Sequence, residues 1–262
     1  MAKRTKDKRY NKQKICGLIV RGAAAALGAY CFAATLSLLL GEAAAATTKP
    51  QQPPAIGDSG KVRSSTAFFV SQDGLLLTSA HGVAGCATIS IWPSGRSARK
   101  ARLIAVDSRL DVAHLSTNGP APRYAAALGR SSPRVGDPIV ALGLGVHVTG
   151  PLIPVIIEGS FAGDGRTPAG DPVFLIHARV PDGASGGSVV DANGSLIGMI
   201  IGYYVDQPDL GVVISIGEIA DFLGQHGVWL VRSAPLDAGP ERLNDLLVDM
   251  SALVQCVPRQ NA

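Results

Sequence analysis

Gly183-Ala184-Ser185-Gly186-Gly187-Ser188 follows Pro181-Asp182 and precedes the apolar pair Val189-Val190. A serine between glycines marks a tight turn whose backbone N–H groups converge on one point. A hydroxyl held there can attack a carbonyl while the N–H groups bind the oxyanion that forms. Serine is a weak nucleophile near neutral pH and needs an imidazole to take its proton, with a carboxylate to orient that imidazole. The rest of the chain is therefore read for a histidine and an acid presented from turns or strand ends.

Upstream, Val62–Val70 is rich in β-formers, Gln72-Asp73-Gly74 is a turn, and Leu75–Ala80 is a second strand that ends on His81-Gly82. A histidine at a strand end beside glycine is positioned rather than packed. Thr88–Trp92 and Ala101–Val106 follow. Asp111 then opens an apolar strand after the turn Asp107-Ser108-Arg109-Leu110. Further short strands are expected at Gly136–Leu142, Leu152–Glu158, Pro172–His177, Ser188–Val190, Leu196–Tyr204 and Gly211–Ile216, with Asn193-Gly194 as a hairpin turn. Helical periodicity is nearly absent before Glu218–Leu223. Many short strands separated by turns predict an all-β sandwich or barrel pair. Leu243, Leu246, Leu247, Met250, Leu253 and Val254 fall on one helical face between Gly239-Pro240 and Pro258, which predicts a C-terminal amphipathic helix packed on the body.

The 262 residues carry a net charge of +4, but seven Lys/Arg and one Asp lie within residues 1–14. The remainder holds 17 basic and 19 acidic residues, so no basic face for nucleic acid is implied. The basic N-terminus runs into an apolar stretch, with Gly22–Gly41 free of charge and Ala43–Ala46 following. That pattern predicts an export segment over residues 1–46, either a signal-anchor retained through residues 15–41 or a signal peptide cleaved at the alanines. Either fate puts the residues beyond about 47 across the inner membrane, and residues 47–60, with Pro50, Pro53 and Pro54, read as a flexible linker. Cys86 and Cys256 lie in the exported part, where a disulfide and two isolated thiols are both compatible with the sequence. His114, His147, His177 and His226 have no metal-like spacing, so neither a metal nor another cofactor is expected.

The order His81, Asp111, Ser185 resembles the trypsin-like serine peptidases, most closely their HtrA-like (Deg-like) bacterial branch. Leu77-Thr78-Ser79-Ala80-His81, Leu110-Asp111-Val112-Ala113 and Gly183-Ala184-Ser185-Gly186-Gly187 look like that family's histidine, aspartate and serine motifs, and the likeness runs from about Ser64 to Leu223. It implies two six-stranded β-barrels with the site between them and a peptidase domain over residues 61–232, which leaves residues 233–262 as the helical tail read from periodicity. It also implies a serine endopeptidase of proteins and peptides, with His81 as general base and acid, Asp111 orienting it, Ser185 as nucleophile, and the N–H groups of Gly183 and Ser185 as oxyanion hole. The specificity pocket aligns with Arg179, Val213 and Ile214, where Arg179 either favours an acidic substrate side chain or points to solvent. The sequence departs from the pattern at Ala184, where Asn or Asp is usual, and no PDZ module is expected in the residues after Leu230. The glycine-rich Gly159–Asp171 is expected as a mobile loop flanking the site.

Two other readings compete. A trypsin-like fold can serve as a non-catalytic binding module. Gly-Ala-Ser-Gly-Gly also fits the nucleophile elbow of an α/β-hydrolase-type esterase, but that motif requires a helix directly after the serine, and here a strand and an Asn-Gly hairpin follow.

Overall fold

The computed structural model describes residues 62–94, 96–119, 123–128, 132–144, 153–167, 169–231 and 240–259. The expected export segment and linker lie outside the described residues. Among those that are described, no helix is long and apolar enough to cross a membrane.

Among the described residues, twelve strands form two closed antiparallel barrels. Barrel 1 contains β1 (Arg63–Phe69), β2 (Leu75–Ser79), β3 (Cys86–Pro93), β4 (Arg99–Asp107) and β5 (Val112–Thr117), with the helical turn α1 (Ala80–Val83) after β2. Barrel 2 contains β6 (Pro138–Leu144), β7 (Pro154–Arg166), β8 (Pro172–His177), β9 (Ser188–Asp191), β10 (Leu196–Tyr204) and β11 (Gln207–Ser215). Helices α2 (Ile216–Gln225) and α3 (Pro240–Met250) follow, and the last strand is β12 (Ser251–Pro258).

The strand alternation shows how one sequence serves two cores. Along β1 Ala67 and Phe69 point into barrel 1, whereas Phe68, and Val70 just past the strand, point into a cluster shared with barrel 2 and the helices. Both faces are buried there, so Ala67–Val70 reads as a continuous apolar run rather than an alternating one. The shared cluster takes Leu142 and Leu144 from β6, Met199 from β10, Phe222 and Leu223 from α2, and Leu246 and Leu247 from α3.

The tail differs from its sequence reading. The expected helix ends at Met250, and Leu253 and Val254 lie on a strand. Strand β12 sits between β1 and β3, in the ring order β1-β12-β3-β4-β5-β2. It pairs with β1 from Arg63↔Cys256 to Phe68↔Ser251 and with β3 from Ala252↔Pro93 to Val257↔Thr88. Ala252 and Val254 face the interior of barrel 1, and Leu253 faces the shared cluster. The apolar positions of helix and strand together mimic one longer helical face, because the strand is too short for its period of two to stand out. Cys86 and Cys256 are joined as a disulfide with Cα atoms 5.4 Å apart, which bonds the end of β12 to the start of β3.

The expected loop at Gly159–Asp171 is also different: Gly159–Arg166 belong to β7, which pairs with β8 out to Arg166↔Pro172. Glycine is needed there for close approach, not for mobility. A Cβ on Gly159 would lie 2.8 Å from Ala178 Cβ, and one on Gly165 would lie 2.9 Å from Leu175 Cγ.

Two stability measurements follow from this architecture. The disulfide closes a loop spanning 170 residues, and such a cross-link chiefly restricts the unfolded chain, so replacing both cysteines by serine is expected to lower unfolding free energy by on the order of 3–5 kcal/mol in urea titration. His114 on β5 is buried, neither ring nitrogen has a hydrogen-bond partner, and burial, with His226 nearby, lowers its pKa from 6.5. The unfolded chain therefore binds the proton more readily, and stability falls as pH drops below about 6.5. Melting temperatures at about pH 7.5 and 5.5 are expected to differ less in His114→Leu than in the wild type.

Candidate active site

The serine turn is built from local hydrogen bonds and two left-handed glycines. Ala184 N donates to Pro181 O at 3.1 Å and Gly187 N donates to Ala184 O at 2.8 Å. Gly183 and Gly186 both have φ of 86°, which an L-residue adopts only with strain. Gly186 N donates to Ile200 O at 2.7 Å, and Ile200 N donates to Gly187 O at 2.9 Å, so β10 holds the turn from the barrel 2 side. Ala184 is fully buried against Gly143, where a Cβ would approach Ala184 Cβ to 2.7 Å. That crowding accounts for glycine at 143.

The hydrogen bond from Gly187 to Ala184 O also fixes the direction of the next amide. A trans peptide sets its N–H opposite its carbonyl, so Ser185 N–H points away from the turn's interior. Among the described residues, the N–H groups of Gly183 and Ser185 and the Ser185 hydroxyl have no protein partner.

Barrel 1 presents the histidine and the acid. His81 lies in α1, directly after β2. Its Nδ1 donates to Asp111 Oδ2 at 2.6 Å, and its backbone N–H donates to Asp111 Oδ1 at 2.9 Å. One carboxylate thus fixes both the ring and the backbone of His81. With the Nδ1 proton engaged, the neutral ring carries its acceptor at Nε2, which lies 3.4 Å from Ser79 Oγ. Asp111 precedes β5 rather than starting it. It is the one non-glycine residue with positive φ among those described, at 59°. Aspartate tolerates the left-handed region better than most residues, and Ala80 N braces the position by donating to Asp111 O at 3.1 Å.

Sequence reading did not single out Arg63 or Thr66. Arg63, from β1, donates to His81 O at 3.3 Å and to Ala84 O, and its guanidinium also contacts Cys256 Sγ at 3.1 Å. It therefore ties the exit of α1 to the disulfide. Thr66 N donates to Ser185 O at 2.9 Å and Thr66 Oγ1 donates to Gly183 O at 2.7 Å, joining barrel 1 to the serine turn. Nothing in a Ser-Ser-Thr run at a strand start announces these roles.

The pocket residues read from the sequence are not brought together. Val213 packs inside barrel 2 and Ile214 packs in the shared cluster, because neighbours on a strand face opposite ways. Arg179 is exposed. Among the described residues no group of three or more His, Cys, Asp or Glu side chains is placed to hold a metal ion.

Residues 65–199 match the family of trypsin-like peptidase domains. The chain is 31% identical over 175 residues to the serine protease Rv3671c of Mycobacterium tuberculosis, covering 64% of this chain and 43% of that protein. It is 30% identical over 148 residues to a probable periplasmic serine endoprotease, DegP-like, of Brucella suis, covering 56% of this chain and 29% of that protein. The crystal structure of the Rv3671c protease in its active form superposes with a TM-score of 0.57 at 27% identity, covering 68% of this chain and 81% of the crystallised one. The chain thus spans less than half the length of these curated relatives.

The serine turn packs on barrel 1 at Gly186. A Cβ there would lie 2.7 Å from Thr78 Oγ1 and 2.9 Å from Ser79 N, besides meeting Thr66 O. Gly186→Ala combines left-handed strain with overpacking and is expected to lower stability by about 2–5 kcal/mol in urea denaturation. A loss near zero would show that the turn is not seated against β1 and β2.

Proposed function

The chain belongs to the trypsin-like peptidase family, and on that premise we propose that it is a serine endopeptidase acting through His81, Asp111 and Ser185. The observation that carries this reading is the two-point attachment of His81 to Asp111, at 2.6 Å through Nδ1 and 2.9 Å through the backbone N–H. It leaves Nε2 as the basic nitrogen of a ring whose orientation is fixed.

In the proposed reaction Ser185 Oγ forms a bond to the substrate's carbonyl carbon as its proton passes to His81 Nε2. The carbonyl oxygen becomes an oxyanion and accepts hydrogen bonds from Gly183 N–H and Ser185 N–H. Collapse of this intermediate breaks the C–N bond, and the leaving amine takes the proton from His81. The acyl group is then esterified to Ser185. Water, deprotonated by His81, attacks the ester, and the serine leaves with the proton restored. Asp111 stabilises the imidazolium without itself being protonated. Loss of one oxyanion donor typically costs about 3 kcal/mol of transition-state stabilisation.

The proposed substrates are proteins or peptides, in keeping with the protease names of the relatives. The proposed location is across the inner membrane. The basic-then-apolar N-terminus supports this, as does the periplasmic label of the DegP-like relative. The domain is then held by residues 15–41, or is periplasmic or secreted where that segment is cut.

A fluorophosphonate probe tests the mechanism. The wild type is expected to be labelled and to cleave casein, Ser185→Ala to do neither, and Asp111→Asn to lose about 10⁴-fold in kcat, since the carboxamide favours the wrong ring tautomer. A folded wild type that neither takes up the probe nor cleaves casein would leave a binding module in place of an enzyme.

A further inference from the structure

Thr66 is not among the groups that the proposed chemistry consumes, yet every polar atom it has is engaged at the junction of the two barrels. It lies on β1 and is fully buried. Its N–H donates to Ser185 O at 2.9 Å, and its carbonyl accepts from Thr78 Oγ1 at 2.7 Å. Its hydroxyl accepts from Leu144 N–H at 2.8 Å and lies 2.7 Å from Gly183 O. A hydroxyl has one proton. Since Leu144 N–H donates to Oγ1 and Gly183 O can only accept, that proton is committed to Gly183 O.

We propose that Thr66 is a positioning residue that holds the oxyanion-binding turn with its donors facing the substrate; the inference rests on the peptidase reading above. The two carbonyls clamped by Thr66 belong to Gly183 and Ser185, the same two residues whose N–H groups have no protein partner. The second of these amides is already directed by the bond between Gly187 N and Ala184 O. The first is not. Gly183 sits at φ of 86°, and glycine has little intrinsic preference for one backbone conformation over another. The Thr66 hydroxyl is the contact from outside the turn that fixes the carbonyl side of Gly183. The anchor comes from barrel 1, while the turn belongs to barrel 2. Docking of the barrels and assembly of the oxyanion hole are therefore one event. Leu144 N–H ties the same oxygen to the end of β6, so the hydroxyl joins three segments at one atom.

The test compares Thr66→Val, which keeps the shape and removes the hydroxyl, with Thr66→Ser, which keeps the hydroxyl. Steady-state kinetics on a peptide amide and the affinity for a peptide boronic acid, which mimics the tetrahedral intermediate, are measured with the full chain. Thr66→Val is expected to lower kcat roughly 10–100-fold, a fraction of the ~10²–10³ lost when a donor is removed outright. KM stays near the wild-type value, boronic acid affinity falls in parallel with kcat, and Thr66→Ser restores both. A role confined to stability would lower the melting temperature without moving kcat or boronic acid affinity at temperatures where the variant is folded, and that result overturns the proposal. Should Thr66→Val not fold, Thr66→Cys supplies a weaker donor in the same space. It is expected to show reduced kcat at unchanged KM, and wild-type kcat would overturn the proposal. If Ser185→Ala abolishes probe labelling while Thr66→Val is fully active, the positioning role fails alone. If the wild type is not labelled, the peptidase reading fails and this inference falls with it.

Discussion

A barrel has no place for an unpaired edge, and in barrel 1 that constraint is met by the end of the chain. The five strands contributed by residues 63–117 leave the edges of β1 and β3 facing one another across a slot one strand wide. Strand β12 fills it with six pairings to β1 and seven to β3. Without it, two rows of backbone donors and acceptors would lie open along strands whose side chains are largely buried. The disulfide between Cys86 and Cys256 makes the closure covalent at one end. Arg63 then carries the closure to the site. Its guanidinium reaches Cys256 Sγ on one side and the carbonyls of His81 and Ala84 on the other. The helical turn that bears His81 is thus anchored on the strand pairing that the C-terminus completes.

The site is divided between the barrels, and each side is held by a different kind of contact. On the barrel 1 side the constraint is electrostatic and local: a carboxylate in a left-handed backbone position accepts two hydrogen bonds from one histidine. On the barrel 2 side close packing adds to the hydrogen bonds of the serine turn. Ala184 is packed against Gly143, and Gly186 against the backbone of β1 and β2 and the Thr78 hydroxyl. Glycine is required at 186 for two independent reasons, the sign of φ and the absence of space. Glycine at 183 meets the first of these, with φ of 86°.

The candidate site residues are more legible in the sequence than the closure of the fold. His81, Asp111 and Ser185 stand out because each sits in a short motif of turn residues and strand ends, and these patterns are local. Most strands were readable within a residue or two, since β-branched and aromatic runs ended at Gly, Pro, Asn or Asp. What escaped was non-local or hidden by a competing local signal. Leu253 and Val254 continue the helical spacing of Leu243 to Met250, which hides strand β12. The glycines of Gly159–Asp171 imitated a loop, although Gly159 and Gly165 answer to close neighbours across the β7–β8 pair. Alignment with the family's pocket takes Val213 and Ile214 together, although strand geometry sends them to different cores. Asp111 gave no sign of its φ, and Thr66 looked like any β-forming threonine. Its importance comes from a partner 117 residues away.

The C-terminal segment has a second function that magnitudes make plain. Before β12 completes barrel 1, α3 places Leu243, Leu246, Leu247 and Met250 in the cluster shared by both barrels. Burying such a side chain contributes about 1.5–3 kcal/mol, so the four together supply on the order of 6–12 kcal/mol as an upper estimate. That is comparable with the whole net stability of a typical domain, about 5–15 kcal/mol. The same cluster contains Phe68 of β1 and Leu144 of β6. Phe68 lies two residues from Thr66, and Leu144 donates its N–H to the Thr66 hydroxyl. The apolar packing of the tail and the polar anchoring of the serine turn therefore act on the same two strands. The apolar layer is non-directional, whereas the hydrogen bonds of Thr66 are directional contacts that join the same strands and the serine turn, strengthened where that layer excludes water.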